Sequence, residues 1–263
     1  MISKGILAFA QGNSFLKLAV YQLKCLRLID NDIGAAYIVS SDADKDLLNT
    51  LSAMGAEIIV ADSSSQPRNY DVSGEWKNLG RETAFELSPW DNTLLVDVDY
   101  VIQSKASLQL LDCNLPQVCG RWHHVFREEF ILDNSAIGRH GIPMLWATLV
   151  WFDKGPRSKE LFAKWQEALK YMKWKQEHYG FYSSLIRNDY ALSIAAHELG
   201  QESGEKVPIA PYSQNAIPPW CTYEMTDAGL VVSSTTVDRP AQLVNLSGID
   251  FHALNKTALL EAV

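Results

Sequence analysis

The first hundred residues alternate short apolar runs with amphipathic stretches, and this alternation restricts the possible folds more than any other feature of the chain. The apolar runs lie at 5–10, 34–40, 56–61 and 92–102, and helical stretches lie near 14–29 and from about Asp42 to Gly55. Repetition of strand, helix and strand is typical of a parallel sheet with helices packed on its faces. Gly55 suits the left-handed position at which many helices end. The sequence therefore predicts an α/β fold.

The second half of the chain has a different pattern. Leu161, Trp165 and Leu169 share one face of a helix that begins near Ser158, so we expect Trp165 to lie in the core. The polar segment 62–75 predicts a surface loop or a flap over an active site. The remaining predicted elements are strands at 117–122, 144–152, 230–237 and 241–246 and a helix at 187–199.

Length and composition indicate a folded, soluble protein. The chain has 263 residues, of which 47% are hydrophobic, enough for a sizeable core. No apolar run approaches the roughly 20 residues of a membrane span, and no signal peptide is recognisable, so we expect a cytoplasmic protein. The four cysteines include no C-x-x-C pair, which predicts reduced thiols. The net charge of −8 argues against nucleic-acid binding by the whole surface but leaves room for a local basic groove.

Two acids interrupt the last apolar run of the first half, in the stretch LLVDVDYVI. Asp-x-Asp also occurs at 30/32, 42/44 and 44/46, but only Asp97 and Asp99 follow a buried strand. Strands of a parallel sheet point their carboxyl ends at the ligand crevice, and alternate strand residues point to one side. Both carboxylates could therefore hold one divalent cation, with Val98 packing the other way. The alternative is that one acid caps a turn or pairs with a surface lysine.

The segments KGILAFAQGN, LSPWDNTLLVDVDYVI and DFHALNK occur in this order along the chain. With them the chain resembles the GT-A-fold glycosyltransferases of the glycogenin-like and galactosyltransferase-like group, in particular small phage-encoded members. The resemblance implies a Rossmann-like mixed sheet flanked by helices in a single domain, residues 1–263. It further implies a nucleotide-sugar-binding half at 1–115 and an acceptor-side half at 116–263.

The resemblance also implies a ligand set. In that family two acids hold Mn²⁺ or Mg²⁺ on the diphosphate of a nucleotide sugar, here most simply a UDP-sugar, and a late histidine is the third ligand. Asp97, Asp99 and His252 match these positions, and Lys256 matches a lysine placed against the diphosphate. A metal and a lysine would stabilise the charge of a departing diphosphate. The alternative is an exposed histidine and lysine near the carboxyl terminus.

Further positions follow from the same resemblance. The base and ribose would rest on the end of the first strand, at Ala8, Phe9, Gln11 and Asn13, and Val98 and Thr148 would border the donor. Phe9 could instead be a core residue. Arg81 would approach the diphosphate or the sugar, with a surface ion pair as its alternative. Asp189 would lie near the transferred sugar and acceptor, with helix capping as its alternative.

The window 157–187 is basic within an acidic chain, with seven lysines or arginines against three glutamates. Aromatic residues alternate with these charges, and such a mixture can follow phosphates and stack on bases. We therefore predict a hexosyl- or pentosyltransferase whose acceptor could be a hydroxymethylated pyrimidine in phage DNA. The DNA would be bound through Lys170, Lys173, Lys175 and Arg121, and the pyrimidine would be extruded from the duplex. A carbohydrate, lipopolysaccharide or protein hydroxyl is the open alternative. Trp174, Tyr179 and Tyr182 could be either binding or core residues.

Three other classes of protein remain as rivals. Haloacid-dehalogenase phosphatases also carry Asp-x-Asp, but on their first strand, whereas at least three strands precede Asp97 here. Nucleotidyltransferases usually have a glycine-rich basic loop after the first strand, and AQGNSF is not one. The third rival is a binding protein that keeps the fold without turnover.

Overall fold

The computed structural model describes residues 3–61, 68–70, 74–76, 80–113, 116–120, 122–126, 130–131, 136–137, 141–179, 187–210, 214–236 and 239–263. The helices are α1 (Asn13–Ile29), α2 (Lys45–Ala53), α3 (Ala84–Leu87), α4 (Pro156–Tyr179), α5 (Asn188–Ser203) and α6 (Lys256–Ala262), with single 3-10 segments at Arg81–Thr83 and Ser107–Asp112.

The strands are numbered in chain order. They are β1 (Lys4–Phe9), β2 (Gly34–Val39), β3 (Glu57–Val60), β4 (Arg68–Tyr70), β5 (Gly74–Trp76), β6 (Asn92–Val96), β7 (Tyr100–Val101), β8 (Gln117–Cys119), β9 (Trp122–His124), β10 (Phe130–Ile131), β11 (Ala136–Ile137), β12 (Ile142–Pro143), β13 (Trp146–Asp153), β14 (Gln214–Ile217), β15 (Thr222–Thr226), β16 (Gly229–Thr236), β17 (Arg239–Asn245) and β18 (Phe251–Ala253).

A six-stranded sheet in the order β3-β2-β1-β6-β13-β8 forms the centre of the fold. Strands β1, β2, β3 and β6 are parallel, and β13 runs antiparallel to both β6 and β8. The expected mixed α/β sheet flanked by helices is confirmed. The helix expected to end at Gly55 is α2, whose amino end is capped by the Asp44 carboxylate, and Gly55 has the predicted positive φ of 79°.

Alternation along the central strands creates two hydrophobic cores, one on each face of the sheet. Ile6 and Leu94 point to the face covered by α1, whereas Leu7 and Leu95 point to the face covered by α4 and α5. Trp165 of α4 is fully buried in the second core, as the helical spacing predicts. Because strands buried on both faces need apolar side chains at every position, these runs are continuous rather than alternating.

The strand expected at 92–102 is wrong in one respect, because β6 ends at Val96. The Tyr100 amide donates to the Asp97 carbonyl at 2.9 Å, so residues 97–100 form a tight turn. The chain then enters β7, which belongs to a second sheet in the order β10-β9-β14-β18-β7. Asp97 and Asp99 therefore converge through a turn and not through strand alternation. The strand expected at 117–122 likewise divides between the two sheets, as β8 and β9.

Smaller elements complete the described structure. Strands β15, β16 and β17 form an antiparallel sheet, which confirms the strand pair expected near 230 and 241. Within the segment 62–75, residues 68–70 pair with 74–76 as a short hairpin, so part of the expected loop is regular structure, and the rest lies outside the described residues. All four cysteines are free thiols, as expected. None of the described helices has the length and apolar character that a bilayer crossing requires.

One buried carboxylate ties the second sheet to the first half of the chain. Asp250, directly before β18, accepts hydrogen bonds from the amides of Gln103, Ser104 and Ser107 at 2.7, 2.6 and 3.2 Å and from the Ser107 hydroxyl at 2.8 Å. Its side chain is 2% exposed. This cluster holds β18, and therefore His252, beside the turn that carries Asp97 and Asp99.

We expect Asp250→Ala to lower the free energy of unfolding by about 3 kcal/mol or more, since two part-buried amides and one buried amide lose a charged acceptor. Urea unfolding followed by circular dichroism measures this. The matched control is Asp112→Ala, which removes an exposed ion pair with Lys4 and should change the free energy by less than about 1 kcal/mol. Equal effects of the two substitutions would contradict the role of Asp250.

Candidate active site

A cleft lies at the carboxyl edge of the central sheet, where β1 and β6 end and the antiparallel β13 begins. This edge is the usual ligand position in open α/β sheets. Side chains from both halves of the chain meet there: Phe9, Phe15, Arg81, Asp97, Val98, Asp99, Trp146, Ala147, Thr148, Arg187, Asn188, Asp189, His252, Leu254 and Lys256.

Asp97, Asp99 and His252 form a compact cluster in the cleft. One ligand atom from each residue lies within 4.8 Å of the other two. His252 Nε2 lies 3.4 Å from Asp99 Oδ1 and 3.8 Å from Asp97 Oδ2. The two acids come from the turn after β6 and the histidine from β18, 153 positions beyond Asp99, so only the tertiary structure brings them together. The predicted trio is thus assembled in one place.

Asp99 is the most buried charge of the cluster, with a side chain that is 3% exposed. Lys256 Nζ lies 3.0 Å from its Oδ2. Burial alone would raise the pKa of Asp99, but the charges of Lys256 and His252 outweigh it and hold the pKa well below its usual range. Asp99 is therefore ionised at neutral pH. The alternative of an acid paired with a surface lysine is wrong, because Lys256 is itself 9% exposed.

His252 is held on both sides of its ring. Its Nδ1 faces the Thr148 hydroxyl at 3.5 Å, and its Nε2 faces the two carboxylates. Burial alone would lower the pKa of His252, but Asp99 and then Asp97 raise it above the ordinary value. The alternative of an exposed histidine near the carboxyl terminus is wrong, because His252 is 5% exposed.

Arg81 orients the first acid of the pair. Its guanidinium donates through Nη1 to Asp97 Oδ1 and through Nη2 to the Ala147 carbonyl oxygen. Arg81 is 6% exposed, so the alternative of a surface ion pair is wrong. Since Oδ1 of Asp97 is engaged by Arg81, its Oδ2 is the oxygen that faces His252. Arg81 thus lies behind a candidate metal ligand, in the same cleft.

Asp189 links α5 to the first residues of β13. Its Oδ1 accepts from the Ala147 amide at 2.9 Å, and its Oδ2 accepts from Arg187 Nε and Nη2 at 3.1 and 2.7 Å. The carboxylate makes no helix-capping hydrogen bond, because α5 begins one residue earlier and has no side-chain cap. The capping alternative is therefore wrong. Asp189 lines the cleft and positions both Ala147 and Arg187 there.

The donor residues predicted on β1 divide into two groups. Phe9 lines the cleft and packs against the core that contains Trp165. Ala8 is fully buried, Gln11 donates from Nε2 to the Ala61 carbonyl at 2.8 Å, and Asn13 Oδ1 accepts from the Asp44 amide at 3.3 Å. These three residues do not line the cleft, and their role in binding a base or ribose stays a prediction. Val98 and Thr148 line the cleft as expected.

Three of the four residues predicted to contact DNA, Lys170, Lys173 and Lys175, lie in the second half of α4. Lys170 and Lys173 are exposed, and Lys175 Nζ lies 4.6–5.5 Å from the ring centres of Tyr171, Trp174 and Tyr179. Those three rings are 57%, 43% and 59% exposed, so Trp174 and Tyr179 are not core residues. Arg121 and Tyr182 lie outside the described residues.

Six cleft residues were not predicted from the sequence as site residues: Phe15, Trp146, Ala147, Arg187, Asn188 and Leu254. Arg187 and Asn188 directly precede Asp189 in the sequence, and this adjacency to a candidate site residue could have identified both as site residues. The Arg187 guanidinium lies 5.9 Å from the Trp146 ring centre and 5.1 Å from that of Tyr190. Burial would lower the pKa of Arg187, but Asp189 outweighs it and raises the pKa.

The Asp97–Asp99–His252 cluster fits a divalent cation. His252 Nε2 lies 3.4 and 3.8 Å from the two carboxylate oxygens, so a modest contraction would bring all three ligand atoms within reach of one cation. Carboxylate oxygens suit Mg²⁺ and Mn²⁺, and an imidazole nitrogen is acceptable to the softer Mn²⁺.

Comparison with known proteins yields similarities of structure only. No protein family matches the sequence, and no curated protein does. The glycosyltransferase GlyE of Streptococcus pneumoniae TIGR4 has a TM-score of 0.48 at 11% identity, over 79% of this chain and 45% of GlyE. The bifunctional glycosyltransferase WbbM in its apo form has a TM-score of 0.42 at 13% identity, over 64% of this chain and 35% of WbbM. The chain thus spans less than half the length of either.

A synthase of different activity is also among the similar structures. The 4-diphosphocytidyl-2C-methyl-D-erythritol synthase of Anaerococcus prevotii DSM 20548 has a TM-score of 0.39 at 13% identity, over 78% of this chain and 87% of the synthase. Similarities at this level carry no assignment of activity, so the activity has to be argued from the site.

We expect Asp99→Asn to weaken Mn²⁺ binding at least ~10-fold, because a neutral amide replaces the most buried carboxylate of the cluster. Isothermal titration calorimetry with MnCl₂ measures this. The control is Asp46→Asn, which changes an exposed Asp-x-Asp pair on α2 and should leave the affinity unchanged. Equal Mn²⁺ affinity in the wild type and Asp99→Asn would show that the cluster is not the metal site.

Proposed function

We propose that the protein is a metal-dependent glycosyltransferase that moves a hexosyl or pentosyl group from a nucleotide diphosphate sugar to a hydroxyl acceptor. The observation that carries this proposal is the joint placement of Asp97, Asp99, His252 and Lys256 in one cleft. Two acids and a histidine suit a cation, and a lysine beside them suits an anion that binds to that cation. A diphosphate leaving group requires both charges.

A bound Mn²⁺ or Mg²⁺ would act as a Lewis acid on the two phosphoryl groups. Asp97, Asp99 and His252 would hold it, with Arg81 fixing the orientation of Asp97. Lys256 lies 3.0 Å from Asp99, so its ammonium is already at the edge of the metal cluster and can contact a phosphoryl oxygen there. We assign the donor diphosphate to this end of the cleft and the sugar to the end with Asp189.

Further donor assignments are part of the proposal. The nucleoside would extend towards Phe9 at the end of β1, and a UDP-sugar is the simplest donor. Residues of both sequence halves line the cleft, and we propose that they act as one domain, 1–263. A phosphatase mechanism is less suited to this site, because Asp97 Oδ1 is hydrogen-bonded to Arg81 and β6 follows three strands of the same sheet.

We expect the wild type to hydrolyse at least one member of a UDP-, GDP-, ADP- and dTDP-sugar panel with Mn²⁺ and not with EDTA. Lys256→Ala should lower kcat about 100-fold, since one stabilising charge on the leaving group is lost. Chromatographic detection of the released nucleoside diphosphate measures both. Lys4→Ala, which removes a partly exposed lysine outside the cleft, is the control. The proposal would be overturned if the wild type neither bound nor hydrolysed any donor of the panel.

For the acceptor we propose a nucleic acid, with a hydroxymethylated pyrimidine in DNA as the reacting group. The supporting observation is the exposed end of α4, where Lys175 lies over the exposed rings of Tyr171 and Trp174 and the exposed Lys170 and Lys173 lie on the same helix. Lysines can contact phosphates while exposed rings stack on bases. This acceptor requires a cytoplasmic protein, in the host cell if the chain is phage-encoded. Carbohydrate, lipopolysaccharide and protein hydroxyls are the other outcomes of the test.

The end of α4 is close to the cleft because α4 and α5 are antiparallel. Lys164 near the middle of α4 pairs with Glu202 at the end of α5 at 2.7 Å, and Arg157 donates to Ser203 at 3.3 Å. Counting back along both helices at 1.5 Å per residue from these two pairs, the level of Asn188 corresponds to residues 172–178 of α4. The aromatic residues of α4 therefore lie at the height at which α5 enters the cleft.

We expect the triple change Lys170→Glu, Lys173→Glu and Lys175→Glu to weaken binding of a hydroxymethylcytosine oligonucleotide at least ~10-fold at low salt, because phosphate contacts are replaced by repulsion. Fluorescence anisotropy measures this. The control carries the same charge change on exposed residues of α1 and α2, as Lys17→Glu, Lys24→Glu and Lys45→Glu. Equal losses in both triples, or none in either, would contradict this acceptor site.

A further inference from the structure

Asn188 is a buried polar residue with no partner in the described structure. It lines the cleft at the first residue of α5, and it is 5% exposed. Neither its Oδ1 nor its Nδ2 makes a hydrogen bond to any described residue, and neither atom is open to water. A primary amide can donate two hydrogen bonds and accept two, so its whole capacity is unused.

Ordinary structural roles do not account for this side chain. An asparagine at a helix start often caps the helix, but α5 has no side-chain cap. Gln22 shows how the same fold treats a buried amide elsewhere. It donates to the carbonyls of Asp97 and Tyr100 at 2.9 and 2.6 Å and accepts from the Tyr37 hydroxyl at 3.2 Å. Since an unpaired buried amide destabilises the folded state, Asn188 requires an explanation of its own.

The neighbours of Asn188 indicate the kind of ligand. Arg187 and Asp189 on either side of it engage each other, so the pair adds little net charge to this end of the cleft. Because Arg187 is engaged by Asp189, the described residues around Asn188 offer a phosphate little positive charge. An uncharged ligand with paired donors and acceptors suits the amide, and the hydroxyl groups of a sugar ring have this property.

We propose that Asn188 is a specificity-determining residue whose amide binds a pair of hydroxyls on a sugar ring. One hydroxyl donates to Oδ1 and the other accepts from Nδ2. Because both atoms are covered, a neighbouring side chain has to move aside when the sugar enters, and Arg187, with a long side chain that is 27% exposed, is the adjacent candidate. This inference rests on the proposed glycosyl transfer. The sugar can belong to the donor or to the acceptor.

The test compares Asn188→Leu with Gln22→Leu, since leucine has a similar size and no polar atoms. The melting temperature of Asn188→Leu should rise by about 3 °C, because an unsatisfied amide is removed, and that of Gln22→Leu should fall. For Asn188→Leu, kcat/KM for donor hydrolysis should fall about 10- to 100-fold, as for other sites built to bind substrate hydroxyls. Its Kd for free UDP with Mn²⁺ should stay within about 2-fold of wild type.

Deoxy donors identify the hydroxyls. A donor that lacks one of the bound hydroxyls should be hydrolysed at nearly the same rate by the wild type and by Asn188→Leu. If hydrolysis is unaffected and only transfer falls, the bound hydroxyls belong to the acceptor. A lower melting temperature together with unchanged hydrolysis and transfer would overturn the proposal, since the amide would then be structural.

If the proposed glycosyl transfer is itself wrong, the experiments give a result that differs from failure of the Asn188 proposal alone. In that case the wild type hydrolyses no nucleotide sugar at all. Free hexoses then provide the readout, because they should raise the melting temperature of the wild type and not that of Asn188→Leu. No difference between the two proteins with any hexose would overturn the role of Asn188 on its own.

Discussion

The buried charge of Asp99 is the interaction on which the site depends. An ionised carboxylate with a 3% exposed side chain is unstable without compensation, and here Lys256 and His252 supply it from the carboxyl-terminal part of the chain. These contacts connect the end of β6 to β18 and α6. Removing either partner would leave a charge in the interior, so the geometry of the cluster and the stability of this region are coupled.

The rest of the architecture places other groups around that charge. β6 stops at Val96, and the turn at 97–100 transfers the chain to the second sheet, where β7 pairs with β18. The antiparallel β13 brings Ala147 and Thr148 to the same edge, because its amino end lies beside the carboxyl end of β6. Arg81 then joins β6 to β13 by binding Asp97 and the Ala147 carbonyl. The cleft is consequently a junction of two sheets.

The cleft also has two chemically different ends. Asp97, Asp99, His252 and Lys256 form a charged end that suits a cation with a diphosphate. At the other end Arg187 and Asp189 satisfy each other, and the unpaired amide of Asn188 suits neutral hydroxyls. A nucleotide sugar has the same division, with a charged diphosphate joined to an uncharged ring. The aromatic end of α4 lies at the level of this second end, where an acceptor would approach.

Runs of apolar residues and helical spacing are local patterns, and they were enough to predict the α/β class, the central strands and the long helices. The sequence also singled out Asp97, Asp99, His252 and Lys256, through strand context and through resemblance. Contacts in the folded chain established that Asp97 and Asp99 converge through a turn, that Arg81 lies behind Asp97, and that Asn188 has no partner among the described residues. Those facts depend on contacts between residues far apart in the chain, and local patterns carry no information about them.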